Sequence, residues 1–238
     1  MTWSVVARDA ASGAYGVIVS TKAFAVGSLC PFARSGIGAL ATQALVNVTY
    51  GPRGLRLLGE GLAAADVLRL LLAADAGRET RQLHLIDATG GNAAHTGGDC
   101  VPWCGHLVAD TVSVAGNMLA GPKVVEDTLA SYQRSTGLAF PARLIQAMDA
   151  GQAAGGDKRG RQSAALIIYS TEEYADIDLR VDDHPDPLIE LRRLYGVFNG
   201  QPAAFKRCLA TRADPAGIFD RAKIEEIVAR SLATSAAS

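Results

Sequence analysis

Two short apolar, β-branched-rich stretches within the first twenty or so residues, separated by a polar turn, predict a β-hairpin. Residues 2–8 carry Trp3, Val5 and Val6, and residues 14–21 carry Tyr15, Val17, Ile18 and Val19, with Asp9-Ala10-Ala11-Ser12-Gly13 as the turn between them. Short apolar stretches at 23–29, ending at Pro31, and at 36–43 are read as a third and a fourth strand. The period then becomes helical. Leu55, Leu58 and Leu62 follow Pro52, which suits a first helical turn, and a second helix runs from Ala64 through Leu68 and Leu71 to a stop at Gly77. Strands are expected again at 82–87, 92–96 and 107–115, the first two joined by Gly90-Gly91. Helices at 122–134 and 141–150 follow, then strands at 164–169 and 178–181, then a helix opened by Asp186-Pro187 and running to Tyr195.

Strands therefore come in groups separated by pairs of helices, without the strict alternation of a doubly wound parallel sheet and without a repeat. Antiparallel sheets with paired helices, an α+β arrangement, fit this order. Residues 196–238 read as a short helical tail, with an amphipathic helix from Asp214-Pro215 carrying Ile218, Ile224 and Ile227 and a frayed Ala-Ser-rich end.

Composition and charge narrow the classes. The 238 residues are 49% hydrophobic and 20% charged, a globular balance with length for one large domain. A net charge of −1 leaves no basic footprint for nucleic acid. The apolar runs are too short to span a bilayer, and residues 1–9 hold no apolar signal core, so a cytoplasmic protein with no membrane partner is expected. Four cysteines do not make a secreted disulfide framework, and the glycosylation sequon at Asn47-Val48-Thr49 is set aside with it.

Four groups of residues carry candidate chemistry. Removal of Met1 would leave Thr2 with a free α-amine beside its own hydroxyl, and an amine with a pKa of about 7.7–8.0 can take the hydroxyl proton. If paired numbers across the first hairpin sum to about 24, Lys22 lies opposite Thr2 and lowers that amine's pKa by like-charge repulsion. The loop 155–163 holds Lys158, Arg159 and Arg161 among glycines, followed by Gln162 and Ser163; it suits an acidic ligand, or equally pairs with the run Asp178, Asp182, Asp183, Asp186. Asn117, between a strand end and a helix start, is either an oxyanion donor or a helix cap. His95, Cys100, Cys104 and His106 match no standard zinc spacing and are read as buried thiols in a loop. Gly36-Ile37-Gly38 lacks the third glycine of a dinucleotide fingerprint, and His84, on an apolar strand, is read as structural.

Thr2-Trp3-Ser4-Val5-Val6-Ala7-Arg8-Asp9 resembles the start of a bacterial family of unknown function within the N-terminal nucleophile (Ntn) hydrolase superfamily. The resemblance continues through Ala41-Thr42-Gln43-Ala44, Tyr50-Gly51-Pro52-Arg53-Gly54, Gly116-Asn117-Met118-Leu119-Ala120-Gly121-Pro122, Gly155-Gly156-Asp157-Lys158-Arg159-Gly160-Arg161-Gln162-Ser163 and Arg180-Val181-Asp182-Asp183-His184-Pro185-Asp186-Pro187, over residues 2–195. It implies a four-layer αββα sandwich of two antiparallel sheets flanked by helices. By element order it places Lys22, Asn117 and the segment from Asp157 to Ser163 beside the nucleophile.

The function expected on these grounds is that of an N-terminal-threonine amidohydrolase, needing no cofactor and acting on a small amide or peptide-like substrate with an acidic group. Thr2, Lys22, Asn117 and Asp157 are its catalytic candidates, and Gln43, Asn47, Lys158, Arg159, Arg161, Gln162 and Ser163 its substrate-binding candidates. The competing expectations are an inactive binding or scaffold protein that keeps the fold, and a metal-dependent hydrolase using the His95–His106 residues or Asp182-Asp183-His184. A homodimer is possible.

Overall fold

The computed structural model describes residues 2–236. Met1, whose removal the expected threonine nucleophile requires, and the last two residues of the Ala-Ser end lie outside them. The chain divides into two compact units, one up to Leu188 and the other from Ile189.

The first unit is built on two antiparallel sheets. One has six strands: β1 (Thr2–Arg8), β2 (Tyr15–Thr21), β7 (Gly105–Ala109), β8 (Val112–Asn117), β9 (Ser163–Tyr169) and β10 (Ile177–Val181). Their order is β10-β9-β2-β1-β8-β7, so β1 and β2 are central. The other has four strands in sequence order: β3 (Pro31–Arg34), β4 (Gly38–Ala44), β5 (Arg81–Asp87) and β6 (Asn92–Thr96). Helices α1 (Tyr50–Gly59) and α2 (Ala64–Ala73) cover the outer face of the four-stranded sheet, and α3 (Lys123–Arg134) and α4 (Phe140–Ala153) cover the outer face of the six-stranded one. The result is a four-layer αββα sandwich.

Strand alternation explains the layering. On β1, Trp3, Val5 and Ala7 turn one way and Thr2, Ser4 and Val6 the other. The Trp3 indole reaches α4 at Gly151, where an added methyl would lie 2.9 Å from its ring nitrogen. Val6 packs between the sheets with Val17, Val19, Ala39, Ala41, Ile86 and Ile167. Leu40, Leu83 and Leu85 point outward to Tyr50, Leu58, Val67 and Leu71 of α1 and α2. Gly51 lets α1 approach β3, since a Cβ there would stand 2.4 Å from the Phe32 ring.

Three expected elements differ. The apolar run 23–29 is a loop with one 3-10 turn, Val26–Ser28, and the strand is Pro31–Arg34 instead. Its backbone hooks onto Ser163, whose hydroxyl donates to the Ala23 carbonyl and accepts from the Val26 N–H. Residues 107–115 are not one strand, because β7 and β8 form a hairpin that turns at Asp110-Thr111, with Thr111 left-handed at φ 56°.

The second unit holds α5 (Pro187–Phe198) from Ile189 onward, then α6 (Gln201–Lys206) and α7 (Arg221–Ala236). The last helix starts at Arg221, not near Asp214, because the Asp220 carboxylate accepts the Ala222 and Lys223 N–H groups. Among the described residues no helix is long and apolar enough to cross a membrane.

Candidate active site

Thr2 opens β1 at one end of the six-stranded sheet and is 7% exposed. Asp9 closes the first hairpin, its carboxylate accepting from the Ser12 N–H and hydroxyl, and its own N–H donating to the Ala14 carbonyl. This turn pairs Arg8 with Tyr15 and Trp3 with Ser20, so paired numbers sum to 23 rather than 24. Thr21, not Lys22, therefore faces Thr2, and the two hydroxyls meet at 3.2 Å. The expected place of Lys22 is corrected by this single-residue shift of register, which turns its side chain to the other face. Lys22 is exposed and its ammonium donates to the Arg161 carbonyl.

On the other side of β1, Asn117 pairs with Thr2 in register. Its side-chain amide donates to the Thr2 carbonyl at 3.4 Å and to the Gln82 carbonyl oxygen Oε1 at 3.0 Å. Those two contacts engage both amide hydrogens, so Asn117 holds the Thr2 backbone here and is neither a helix cap nor an open oxyanion donor. Gln43 reaches across from β4, and its amide nitrogen lies 3.4 Å from the same Thr2 carbonyl, 2.7 Å from Gln82 Oε1 and 3.1 Å from the Ala115 carbonyl.

Behind Thr2 a buried polar seam runs between the sheets. Ser4 donates to Gln43 Oε1 at 2.7 Å and lies 2.8 Å from His84 Nε2, while His84 Nδ1 lies 2.7 Å from the Ser113 hydroxyl. Because the Ser4 proton is given to Gln43, Ser4 must accept from His84, which assigns the proton to Nε2 and makes Ser113 the donor to Nδ1. His84 is fully buried, and burial, with a smaller push from His106, lowers its pKa to about 3. It is neutral throughout the physiological range, as this one-proton pattern requires.

Thr2 also lines a cavity of about 130 Å³ with Thr21, Val26, Cys30, Gln43 and Val46, and with Phe24, Leu29 and Arg159. Ala44 lies in its wall and has a left-handed backbone, φ 70°. Met118, after Asn117, is left-handed as well, φ 52°. A Cβ in this region costs about 1–2 kcal/mol, and such strain gathers where surrounding contacts over-determine the backbone. Burial pushes the Cys30 thiol far up, so it is no thiolate nucleophile.

The basic loop is largely committed elsewhere. Asp157 is buried; its carboxylate accepts the Lys22 and Arg159 N–H groups at 2.8 Å and pairs with the Arg159 guanidinium at 3.3 Å, which makes it the clamp that fixes the loop to the end of β2. Lys158 donates to the Pro102 carbonyl, Arg161 pairs with Asp186, and Gln162 bonds Asp183. Ser163 ties down the 23–26 loop. Of this group, Arg159 alone lines the cavity. The reading in which the loop pairs with the acidic run holds for Arg161 and Gln162. Asn47 is also corrected. Its side chain accepts from the Thr49 N–H and hydroxyl and donates to Asp75, which starts α1 and leaves it no part in the cavity.

The His95–His106 residues do not converge. His95 bonds the Arg78 carbonyl, His106 bonds Thr96, and the Cys100 and Cys104 thiols donate to backbone carbonyls. Among the described residues no group of three or more His, Cys, Asp or Glu side chains is placed to hold a metal ion.

Thr21, Ser4, Gln82 and Ser113 were not among the residues expected at the site. The signal was present, since Gln82 and His84, and Ser113 and Asn117, lie at period-two positions on the inward face of otherwise apolar strands.

The fold and site define an α+β sandwich with a buried threonine at the head of a central strand. The chain belongs to the family described as DUF1028, a family of unknown function, whose pattern matches residues 2–191. It is similar to the crystal structure of protein SPO2555 from Silicibacter pomeroyi, of the same family, with 29% identity, a TM-score of 0.85, and 92% of this chain and 96% of that one covered. It is more loosely similar to Anbu, an ancestral β-subunit, from Yersinia bercovieri, at 14% identity and TM-score 0.40 over 82% of this chain and 93% of that one. A Gly-1 mutant of Anbu from Hyphomicrobium sp. strain MC1 stands at 11% identity and TM-score 0.42 over 83% and 94%. These last two likenesses are too loose to carry an argument. No curated protein is similar enough to match the chain.

Proposed function

We propose that this protein is an Ntn-type amidohydrolase whose nucleophile is Thr2, freed by removal of Met1. The observation that carries the reading is the setting of Thr2. It heads a central strand, it opens into a cavity, and its hydroxyl and carbonyl are held from three sides by Thr21, Asn117 and Gln43.

The chemistry needs a neutral amine at the start of the chain. An α-amine with a pKa of about 7.7–8.0 supplies a useful neutral fraction near neutral pH. The amine accepts the Oγ1 proton as Oγ1 attacks the substrate carbonyl, and passes that proton to the nitrogen as the C–N bond breaks. The amine product leaves, and an ester to Thr2 remains. Water then adds to the ester with its proton taken by the same amine, releasing the acid and restoring the hydroxyl. Gln43 and Asn117 fix the Thr2 backbone, and with it the direction of attack.

The test is labelling of the processed protein with a β-lactone, followed by intact mass. One equivalent of adduct on Thr2 is expected, with none on a Thr2→Ala variant or on chains that retain Met1. Undiminished labelling or amide turnover by Thr2→Ala would refute the reading.

A further inference from the structure

Four large apolar side chains stand exposed near the head of β1: Phe24 at 67%, Leu29 at 42%, Leu45 at 64% and Val101 at 48%. They divide between two cavities. Phe24 and Leu29 border the 130 Å³ cavity that Thr2 lines. Leu45 and Val101 border a second cavity of about 320 Å³, lined also by Thr80, Asp99, Cys100 and Met118. The first lies on the β2 side of Thr2, at Thr21, and the second on the β8 side, at Asn117. Ala44 is in the wall of both, so they adjoin beside the threonine.

We propose that the substrate is an amide with an apolar group on each side of the scissile bond, the acyl side in the smaller cavity and the amine side in the larger. The proposal rests on the amidohydrolase reading for the direction of the bond and on the cavities alone for the apolar character.

Three arguments support it. The acyl carbon must come within bonding reach of Oγ1, and of these two cavities Thr2 lines the smaller. A space of about 130 Å³ is close to the apolar cavity of about 150 Å³ that accepts benzene, so it holds a leucine- or phenyl-sized group. Charge points the same way. In the smaller cavity the Arg159 guanidinium is paired with Asp157, and in the larger the charged lining residue is Asp99, which repels an acidic leaving half. The acidic substrate expected from the sequence loses its other cations to Pro102 and Asp186.

The experiment compares N-acetyl-L-leucine anilide with N-acetyl-L-glutamate anilide. On the processed enzyme the leucine compound should turn over at least about tenfold faster in kcat/KM, the scale of one well-filled apolar pocket. Val46→Phe, which narrows the smaller cavity, should remove that preference. Val101→Lys should slow the anilides relative to the corresponding primary amides. Binding to Thr2→Ala, measured by calorimetry, separates the two claims. Tenfold tighter binding of the leucine compound without turnover by the wild type would keep the subsites and remove the catalytic reading. Equal or tighter binding of the glutamate compound would overturn the subsites.

Discussion

Replacing His84 with glutamine probes the seam behind Thr2 through its dependence on pH. In the folded chain His84 stays neutral down to about pH 3, because burial penalises the imidazolium. In the unfolded chain an ordinary histidine takes up its proton near pH 6.5. Between those values the unfolded state binds one more proton, so acidification favours unfolding by about 1.4 kcal/mol per pH unit. From pH 7.5 to pH 5 this residue alone should cost the wild type about 2 kcal/mol, since only the 1.5 units below 6.5 count. Glutamine does not titrate. It does disturb the acceptor for Ser113 and the donor to Ser4, at about 1–3 kcal/mol where a buried group loses its partner. The variant should therefore be weaker by about 2 kcal/mol at pH 7.5 and nearly equal to the wild type at pH 5. Urea unfolding followed by tryptophan emission reads this directly, because Trp3 and Trp103 both lie in the first unit. Carboxylates and the other histidines titrate in both proteins and cancel in the difference. A gap that stays constant with pH would refute the neutral, buried assignment of His84.

Asp157→Ala removes the acceptor of the Lys22 and Arg159 N–H groups and should cost about 2–4 kcal/mol while slowing β-lactone labelling of Thr2, as checked by urea midpoints and mass spectrometry. Gly51→Ala drives a methyl into the Phe32 ring and should lower stability by about 1–3 kcal/mol, read from the same midpoints. Ala44→Gly relieves a left-handed alanine and should raise stability by up to about 1 kcal/mol; a drop would show that the φ of 70° carries no strain.

The layers could be read from the sequence because turn-bounded runs of β-branched and apolar residues mark β1, β2 and β5, and helical periodicity marks α1 and α3. What could not be read turned on single residues or on distant partners. Val108, Val112 and Val114 keep one phase on either side of Asp110-Thr111, which hid the turn between β7 and β8. The 23–29 loop has strand-like composition, and only its bonds to Ser163, far along the chain, keep it out of the sheet. Lys22 and Thr21 exchange places on one residue of turn length. Thr2 and Asn117 were legible because a strand head and a strand–helix junction are local features. Gln43 was found through its motif, while its partner Gln82 comes from another strand and had no local mark.

The polar seam also proofreads the assembly of the sandwich. The apolar half of the interface, made of Val6, Val17, Val19, Ala39 and Ala41, consists of similar small side chains that would tolerate a shifted pairing. At the other half, a slip of one residue would turn Ser4, Gln43, Gln82 or His84 toward a helix layer with its partner left behind. Each stranded group would cost about 1–3 kcal/mol, so a misaligned pairing is rejected several times over. The same bonds that reject it end on the carbonyl of Thr2. Correct alignment of the two sheets and placement of the Thr2 backbone at its cavity are thus one event.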